Sequence, residues 1–338
     1  MPRERKALGY GRELVPSYVL DCAENATCAE AVLKEADVVI AGSAPEALIR
    51  PCILRGQLVF RYSERPLKNG AEWHKYIPRF LKWHWRNPAQ KPVYLLCASA
   101  YTKPDYKKFG LFRNRAFRFG YFPETVEYSD PAEMIGKKKP ASIIWCGRLL
   151  DWKHPEALLK VAASLLRDGI DFAAEIVGTG PMEPFIRQEI ESRGLVQRVH
   201  LVGAVPPDEV RRKMEAAEIF LFTSDRKEGW GAVLNEAMNS GCAVLASDAA
   251  GATPWLVRDG ENGVVFPSED WEALYAGIRR LMEDRALRQR MALAAYHTIR
   301  TEWNASVAAD RLVKLCDNIL NTGAPGTVAE RGPCSRAE

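Results

Sequence analysis

The chain has 338 residues, 47% of them hydrophobic and 27% charged, with a net charge of +4. That composition suits two domains with buried cores and excludes wholesale disorder. No apolar run reaches the roughly 18 residues of a membrane-spanning helix, and the charged start, residues 1–6, does not read as a signal peptide.

In chain order, short apolar runs at 36–42, 57–62 and 93–98 read as buried strands, with helical segments between them, one of them near 73–85. Strand, helix, strand at this spacing predicts βαβ units and a parallel sheet. Trp73, Tyr76, Phe80 and Trp83 recur at helical spacing and predict a core stripe. The polar run 137–140, ending in proline, is the predicted linker. Beyond it, strands are expected at 141–147, 172–177, 199–203, 218–223 and 243–246, with helices from about 155 to 168 and from about 207. Their apolar runs do not alternate, as expected of a sheet covered on both faces. A last helix at about 303–320 precedes a tail rich in glycine and proline, read as disordered.

Charge is unevenly spread. Residues 1–140 hold 24 Lys and Arg against 15 Asp and Glu, and the remainder hold 23 against 28. Between 75 and 118 there are eleven basic residues and one acid, Asp105, interleaved with aromatics. Such a stretch suits an anionic membrane surface, an acidic acceptor or nucleic acid; the plain alternative is a solvated basic face over an aromatic core. Eight cysteines are scattered without a C-x-x-C pair, which argues against zinc and dithiol motifs and for reduced thiols in a cytoplasmic setting. His74, His84 and His154 have no spacing that suggests a metal site or a catalytic triad.

The segment 224–238, SDRKEGWGAVLNEAM, holds the most chemistry. A strand ends at Thr223, a glycine-broken loop follows, and a helix starts near Gly231. Unpaired N–H groups in a first helical turn, with the helix dipole, make an anion site. Glu228 lies before the helix start and Glu236 eight residues on, so a ligand spanning the start would meet a carboxylate at each end. Carboxylates are good acceptors for sugar hydroxyls. Taken alone, two such acids also serve simply to satisfy a helix start.

In this context the run from Glu228 to Met238 resembles the E-x7-E signature of retaining glycosyltransferases of family 4. The similarity extends from about Ile143 to Met282, through CGRL at 146–149 with Lys153, VGTGP at 177–181, LVGAV at 201–205 and DGENGVVF at 259–266. It implies an α/β GT-B architecture: two Rossmann-like parallel-sheet domains facing a cleft. Domain 1–140 would lie on the acceptor side and domain 141–302 would bind the nucleotide sugar. Residues 303–320 would form a crossover helix, and 321–338 the tail. Carried over residue by residue, it implies that Arg148 and Lys153 clamp the donor diphosphate and that Glu228 holds the donor sugar. Glu236 would bind the ribose, Gly231, Ala232 and Val233 would offer N–H groups to phosphate, and Gly178, Gly203 and Val205 would flank the nucleobase. The run FRYSER at 60–65 looks like a segment of capsule and exopolysaccharide members, which places Glu64 or Arg65 near the acceptor or the transferred sugar; a local ion pair between them is the alternative.

The implied activity is retaining transfer of a hexose from a nucleotide sugar, a UDP-sugar, to a saccharide or lipid-linked acceptor in cell-surface polysaccharide or glycolipid synthesis. No cofactor beyond the donor substrate and, without a D-x-D motif, no metal is implied. The expected location is cytoplasmic and peripheral on the inner face of the membrane, with residues 75–118 toward that surface and no nucleic acid as partner. Family members usually begin with a strand and a glycine- or histidine-bearing loop. Here the first half is short and reads as lacking that strand–helix unit, which would leave a gap or an unpaired sheet edge. A truncated, inactive homologue serving as a partner subunit is therefore the alternative function. A dinucleotide-dependent oxidoreductase is disfavoured, because Glu183 stands where G-x-G-x-x-G needs its third glycine.

Overall fold

The computed structural model describes residues 25–70 and 73–337. The start of the chain, read as lying beyond a missing first strand–helix unit, falls in residues 1–24, outside the described residues, as does the side chain of Trp73. The first domain runs α1 (Ala26–Glu35), β1 (Val38–Ala41), α2 (Glu46–Arg55), β2 (Leu58–Ser63), α3 (Tyr76–Arg86), β3 (Val93–Cys97), α4 (Thr102–Lys107) and β4 (Ala116–Arg118). Its four strands lie parallel in the order β1-β2-β3-β4. Successive side chains of a strand point to opposite faces, and both faces of this sheet are covered. Val59, Val93 and Leu95 pack with Ile49, Ile53 and Phe109. On the other face, Leu58, Phe60, Tyr94 and Leu96 pack with Leu315 and Ile319 of the last long helix.

The second domain contains α5 (Pro131–Gly136), β5 (Lys139–Cys146), α6 (Glu156–Arg167), β6 (Ala173–Val177), α7 (Glu183–Ser192), β7 (Val199–Gly203), α8 (Pro207–Ala216), β8 (Ala217–Phe222), α9 (Ala232–Asn239), β9 (Ala243–Ser247), α10 (Thr253–Leu256), β10 (Val264–Phe266), α11 (Trp271–Glu283) and α12 (Arg285–Thr301). Six parallel strands run in the order β10-β9-β8-β5-β6-β7. The chain enters at β5 in the middle, winds outward through β6 and β7, then returns to β8 on the other side of β5. Strand order reverses between β5 and β8, and in a doubly wound sheet the crevice for a ligand opens there, beyond the carboxyl ends of the strands. β8 and β9 are buried at every position, the signature of a sheet with both faces covered. The last helix, α13 (Ala305–Thr322), leaves this domain and packs its Leu315–Ile319 stripe on the first.

Three expectations need correction. Residues 137–140 are not a linker: Lys139 already begins β5, and Ile135 lies in the core of the second domain. Lys138 is buried, its ammonium donating to the carbonyls of Met214 (2.8 Å), Glu215 (2.9 Å) and Ser240 (2.8 Å). Three adjacent lysines read as solvated, but one of them satisfies carbonyls near the ends of two helices. The chain crosses between domains earlier, and its segment there is held where Asn239 exchanges hydrogen bonds with Val126 (2.8 and 3.0 Å).

The tail is not disordered either. Gly323, in a left-handed conformation, ends α13, and the chain returns to the first sheet. Arg118 N donates to Ser335 O (2.8 Å), Cys334 N to Arg118 O (2.7 Å) and Ala337 N to Ala116 O (3.0 Å). Cys334, Ser335 and Ala337 are buried. The glycines and prolines are turn residues of a segment that covers the edge of β4, whose N–H and carbonyl groups need partners. The aromatic stripe is core only in part. Trp83 packs on Tyr106 and Phe109, whereas Tyr76 and Phe80 stay 37% and 38% exposed, because only one side of α3 meets the domain.

Candidate functional site

The loops after β5 and β8 meet at the reversal point. Thr223, just past β8, sends its hydroxyl to the carbonyls of Lys153 (2.7 Å) and His154 (3.0 Å) and accepts from Trp145 Nε1 (2.9 Å). This buried threonine thereby anchors the 3-10 turn Asp151–Lys153 and aims Lys153 across the crevice. The Lys153 ammonium there meets the carboxylate of Glu228. Glu228 is only 9% exposed, and Ser224 Oγ also donates to its Oε2 (3.1 Å). Arg148, on the same loop as Lys153, is exposed.

Gly231 caps α9 with φ +93, a left-handed conformation that favours glycine, and the Phe222 ring fills the space beside it. No side chain caps this helix start, so N–H groups of residues 231–233 are without an intrahelical acceptor. Glu236 lies one turn further on. With Val233, Cys146, Gly147, Val205 and Arg211 it lines a cavity of about 1210 Å³. Burial raises the Glu236 carboxyl above its ordinary value, with Arg211 opposing. Cys146, at the end of β5, is pushed up to about 12 by burial and by Glu236, while Lys153 opposes. A Cβ at Gly147, which lines the cavity, would lie 3.6 Å from Lys153 Cδ, so the cavity and the ion pair are parts of one site.

Gly178 and Gly203 shape the far wall. Gly178 N donates to Gly203 O (2.8 Å), and a Cβ at Gly178 would lie 1.9 Å from Gly147 O, so only glycine fits that contact. Neither glycine lines the cavity itself, whereas Val205 does.

The first domain closes the opposite side. Glu64 and Arg65 do not pair with each other. Glu64 binds Lys68 and accepts from Tyr121 OH (2.6 Å), and its carboxylate lies against the Gly229 backbone. Arg65 pairs with Asp105 (3.4 Å), stacks over Tyr101 (4.8 Å) and donates to Arg226 O (3.3 Å). Burial raises the Tyr121 phenol, and the hydrogen bond to Glu64 and the charges of Glu64 and Glu228 add to the rise. The domains also join through Ala100 N donating to Gly251 O (2.9 Å) and through the Arg118 guanidinium, 5.8 Å from the Trp255 ring.

The structure therefore brings Lys153 to Glu228, sets Glu236, Val233 and Val205 on one cavity, and faces them with Glu64 and Arg65. Thr223, Ser224, Tyr121, Arg211 and Gly251 were given no role from sequence. Polar residues directly after an apolar strand were the available signal for Thr223 and Ser224. The others act through long-range contacts, and no local pattern marks them.

The glycosyl transferases group 1 family matches residues 131–298. The alpha-D-kanosaminyltransferase of Streptomyces kanamyceticus is 27% identical over 240 residues, 68% of this chain and 62% of that protein. The amylovoran biosynthesis glycosyltransferase AmsK of Erwinia amylovora is 30% identical over 186 residues, 54% of this chain and 46% of that one. The chain thus spans roughly half to three-fifths of these relatives' own length. Among solved structures, Anabaena Alr3699/HepE in complex with UDP has a TM-score of 0.68 at 16% identity, covering 87% of this chain and 81% of that one. A glycosyltransferase from Rickettsia africae has a TM-score of 0.67 at 16% identity, covering 92% and 84%. Residues 131–298 match the glycosyltransferase group 1 family, and the chain has the two-domain GT-B fold.

Proposed function

We propose that this chain is a retaining glycosyltransferase of family 4 that moves a hexose from a UDP-sugar to a saccharide or lipid-linked acceptor. The observation that carries the reading is the Lys153–Glu228 pair at the reversal point, with the Lys153 stem beside Gly147 at the wall of the cavity that holds Glu236. Support also comes from the names of relatives, a kanosaminyltransferase and an amylovoran biosynthesis glycosyltransferase, and from the UDP bound to the Anabaena neighbour.

In this reading the diphosphate lies between Arg148, Lys153 and the N–H groups of residues 231–233. As the sugar leaves, charge grows on the phosphate, and fixed cations and N–H groups stabilise it. Glu228 accepts from hydroxyls of the transferred sugar, and Glu236 accepts from the ribose. Gly178 and Gly203 hold the wall beside Val205, where the base stacks. Glu64 and Arg65 approach from the acceptor side. The acceptor loses its proton to a donor phosphate oxygen as the new bond forms on the face the leaving group departs. This account uses no metal and no cofactor beyond the donor.

The test is turnover. Purified full-length chain is given a panel of UDP-sugars with mixed oligosaccharide or lipid acceptors, and free UDP is measured by chromatography. Acceptor-dependent UDP release from one donor is expected, and proton NMR of the product should give the donor's anomeric configuration. An inverted product would overturn the retaining assignment. UDP binding without release from any donor would point instead to a partner subunit.

A further inference from the structure

We propose that Trp230 is a positioning residue: wedged against Gly120 of the first domain, its indole fixes where the loop carrying Glu228 stands in the cleft. The inference rests on the sugar-transfer reading of Glu228.

The loop 228–231 reads Glu-Gly-Trp-Gly, so Trp230 is its only large apolar side chain. It is fully buried, and its Nε1 donates to Asn235 Oδ1 (2.9 Å) on α9. Within its own domain it packs on Trp255 and Trp303, with ring centroids 6.0 and 5.7 Å away. The indole also meets Gly120. A Cβ there would lie 2.6 Å from both Cζ2 and Cη2 of Trp230, closer than real Cβ contacts. Gly120 is held by the first sheet: Phe119 N donates to Cys97 O (2.9 Å) at the end of β3, and Tyr62 OH of β2 donates to Gly120 O (2.6 Å). Asn235 reaches the same segment, its Nδ2 donating to Tyr121 O (3.4 Å).

Two more glycines mark this seam. A Cβ at Gly229 would overlap the Glu64 carboxylate, and one at Gly251 would overlap Ser99 Oγ and the Gly229 carbonyl. None of the three takes a left-handed φ. The backbone at each would therefore accept alanine, and it is the close approach of the two domains that excludes a side chain. A tryptophan that merely filled the core of the second domain would need no glycine in the first. Glu228 lies two residues before the wedge, and the turn behind it holds both: Gly251 N donates to Glu228 O (3.4 Å) and Ala252 N to Trp230 O (3.2 Å). A shift of the indole is thus passed to Glu228 through two residues of backbone, and a misplacement of about 1 Å costs on the order of 10²-fold in rate.

The experiment forces the wedge apart and then makes room for it. Gly120→Ala should lower kcat on the order of 10²-fold and leave the UDP dissociation constant unchanged, because Glu236 and its cavity lie beyond the seam. Trp230→Phe alone should also lower kcat, since the bond to Asn235 is lost. A phenylalanine ring ends short of Cζ2 and Cη2, so Gly120→Ala/Trp230→Phe should run at least about tenfold faster than Gly120→Ala. In the substrate-free chain, amides of residues 226–231 should exchange hydrogen faster in Gly120→Ala and return toward the wild-type rate in the double variant. Wild-type kcat in Gly120→Ala, a loss of UDP affinity that tracks kcat, a double variant no faster than the single one, or unchanged exchange at 226–231 would each overturn the proposal. A wild-type chain that releases UDP from no donor would instead refute the transferase reading, and the exchange rates would still decide whether the wedge holds the loop.

Discussion

Lys153→Ala should slow sugar transfer by on the order of 10²- to 10³-fold, the usual cost of losing a group that meets charge developing in the transition state. An exposed ion pair would predict almost nothing, about 0.2–1 kcal/mol of stability and no kinetic effect. This pair is not exposed: the side chains of Lys153 and Glu228 are 15% and 11% accessible. Removing one partner leaves the other charge poorly solvated, so Lys153→Ala should also cost stability, about 3 kcal/mol if the site cannot rearrange. The double variant Lys153→Ala/Glu228→Gln separates the two effects. Without an orphaned carboxylate it should regain most of the melting temperature, yet its kcat should stay as low as that of the single variant. If recovery of stability restored transfer, Lys153 would be a structural lysine and no more.

The two glutamates should divide the work. Glu228 is held by Lys153 and Ser224, and its neighbour Gly229 meets the Glu64 carboxylate of the first domain. Contacts to the reacting sugar tighten toward the transition state, so Glu228→Gln should lower kcat markedly, on the order of 10²-fold, with UDP affinity nearly intact. Glu236 faces the cavity and should meet the part of the donor that does not react. Glu236→Gln should weaken UDP and donor together, by about tenfold for one charged hydrogen bond, with less effect on kcat. Stability adds a second criterion. Burial raises the Glu236 carboxyl above its ordinary value of 4.5. For a carboxyl raised by folding, the ionised form is disfavoured in the folded state, so stability is lost as pH rises through the raised value. Glutamine carries no such cost. Glu236→Gln should therefore melt at or above the wild-type temperature near neutral pH, the advantage vanishing below about pH 4. A helix-start stabiliser would do the opposite, losing up to about 1 kcal/mol on substitution at neutral pH.

How far the sequence could be read depended on the range of the contacts. Strands β3, β6, β7 and β9 were expected within one or two residues of where they lie, because their apolar runs are bounded by glycine, proline or charged residues. β4 has three residues inside a basic run, and β10 three after a glycine, too few to show a period. The tail was misread because Gly323, Gly326 and Gly332 look like a flexible composition, whereas each takes a positive φ in a packed turn. Lys138 was misread because charge in sequence says nothing of the carbonyls it meets in space. The acids and cations of the second domain were legible because strand, glycine loop and helix start are local signals. What the first domain brings to them, Glu64 against Gly229, comes from chain segments more than a hundred residues apart.

Isothermal titration of the full chain with UDP tests most directly whether the crevice between β5 and β8 is a nucleotide-sugar site. One saturable site per chain is predicted, weakened by Arg148→Ala and by Glu236→Gln, with no heat from NAD. A chain that binds NAD, or that gives no heat with any nucleoside diphosphate while remaining folded, would contradict the account.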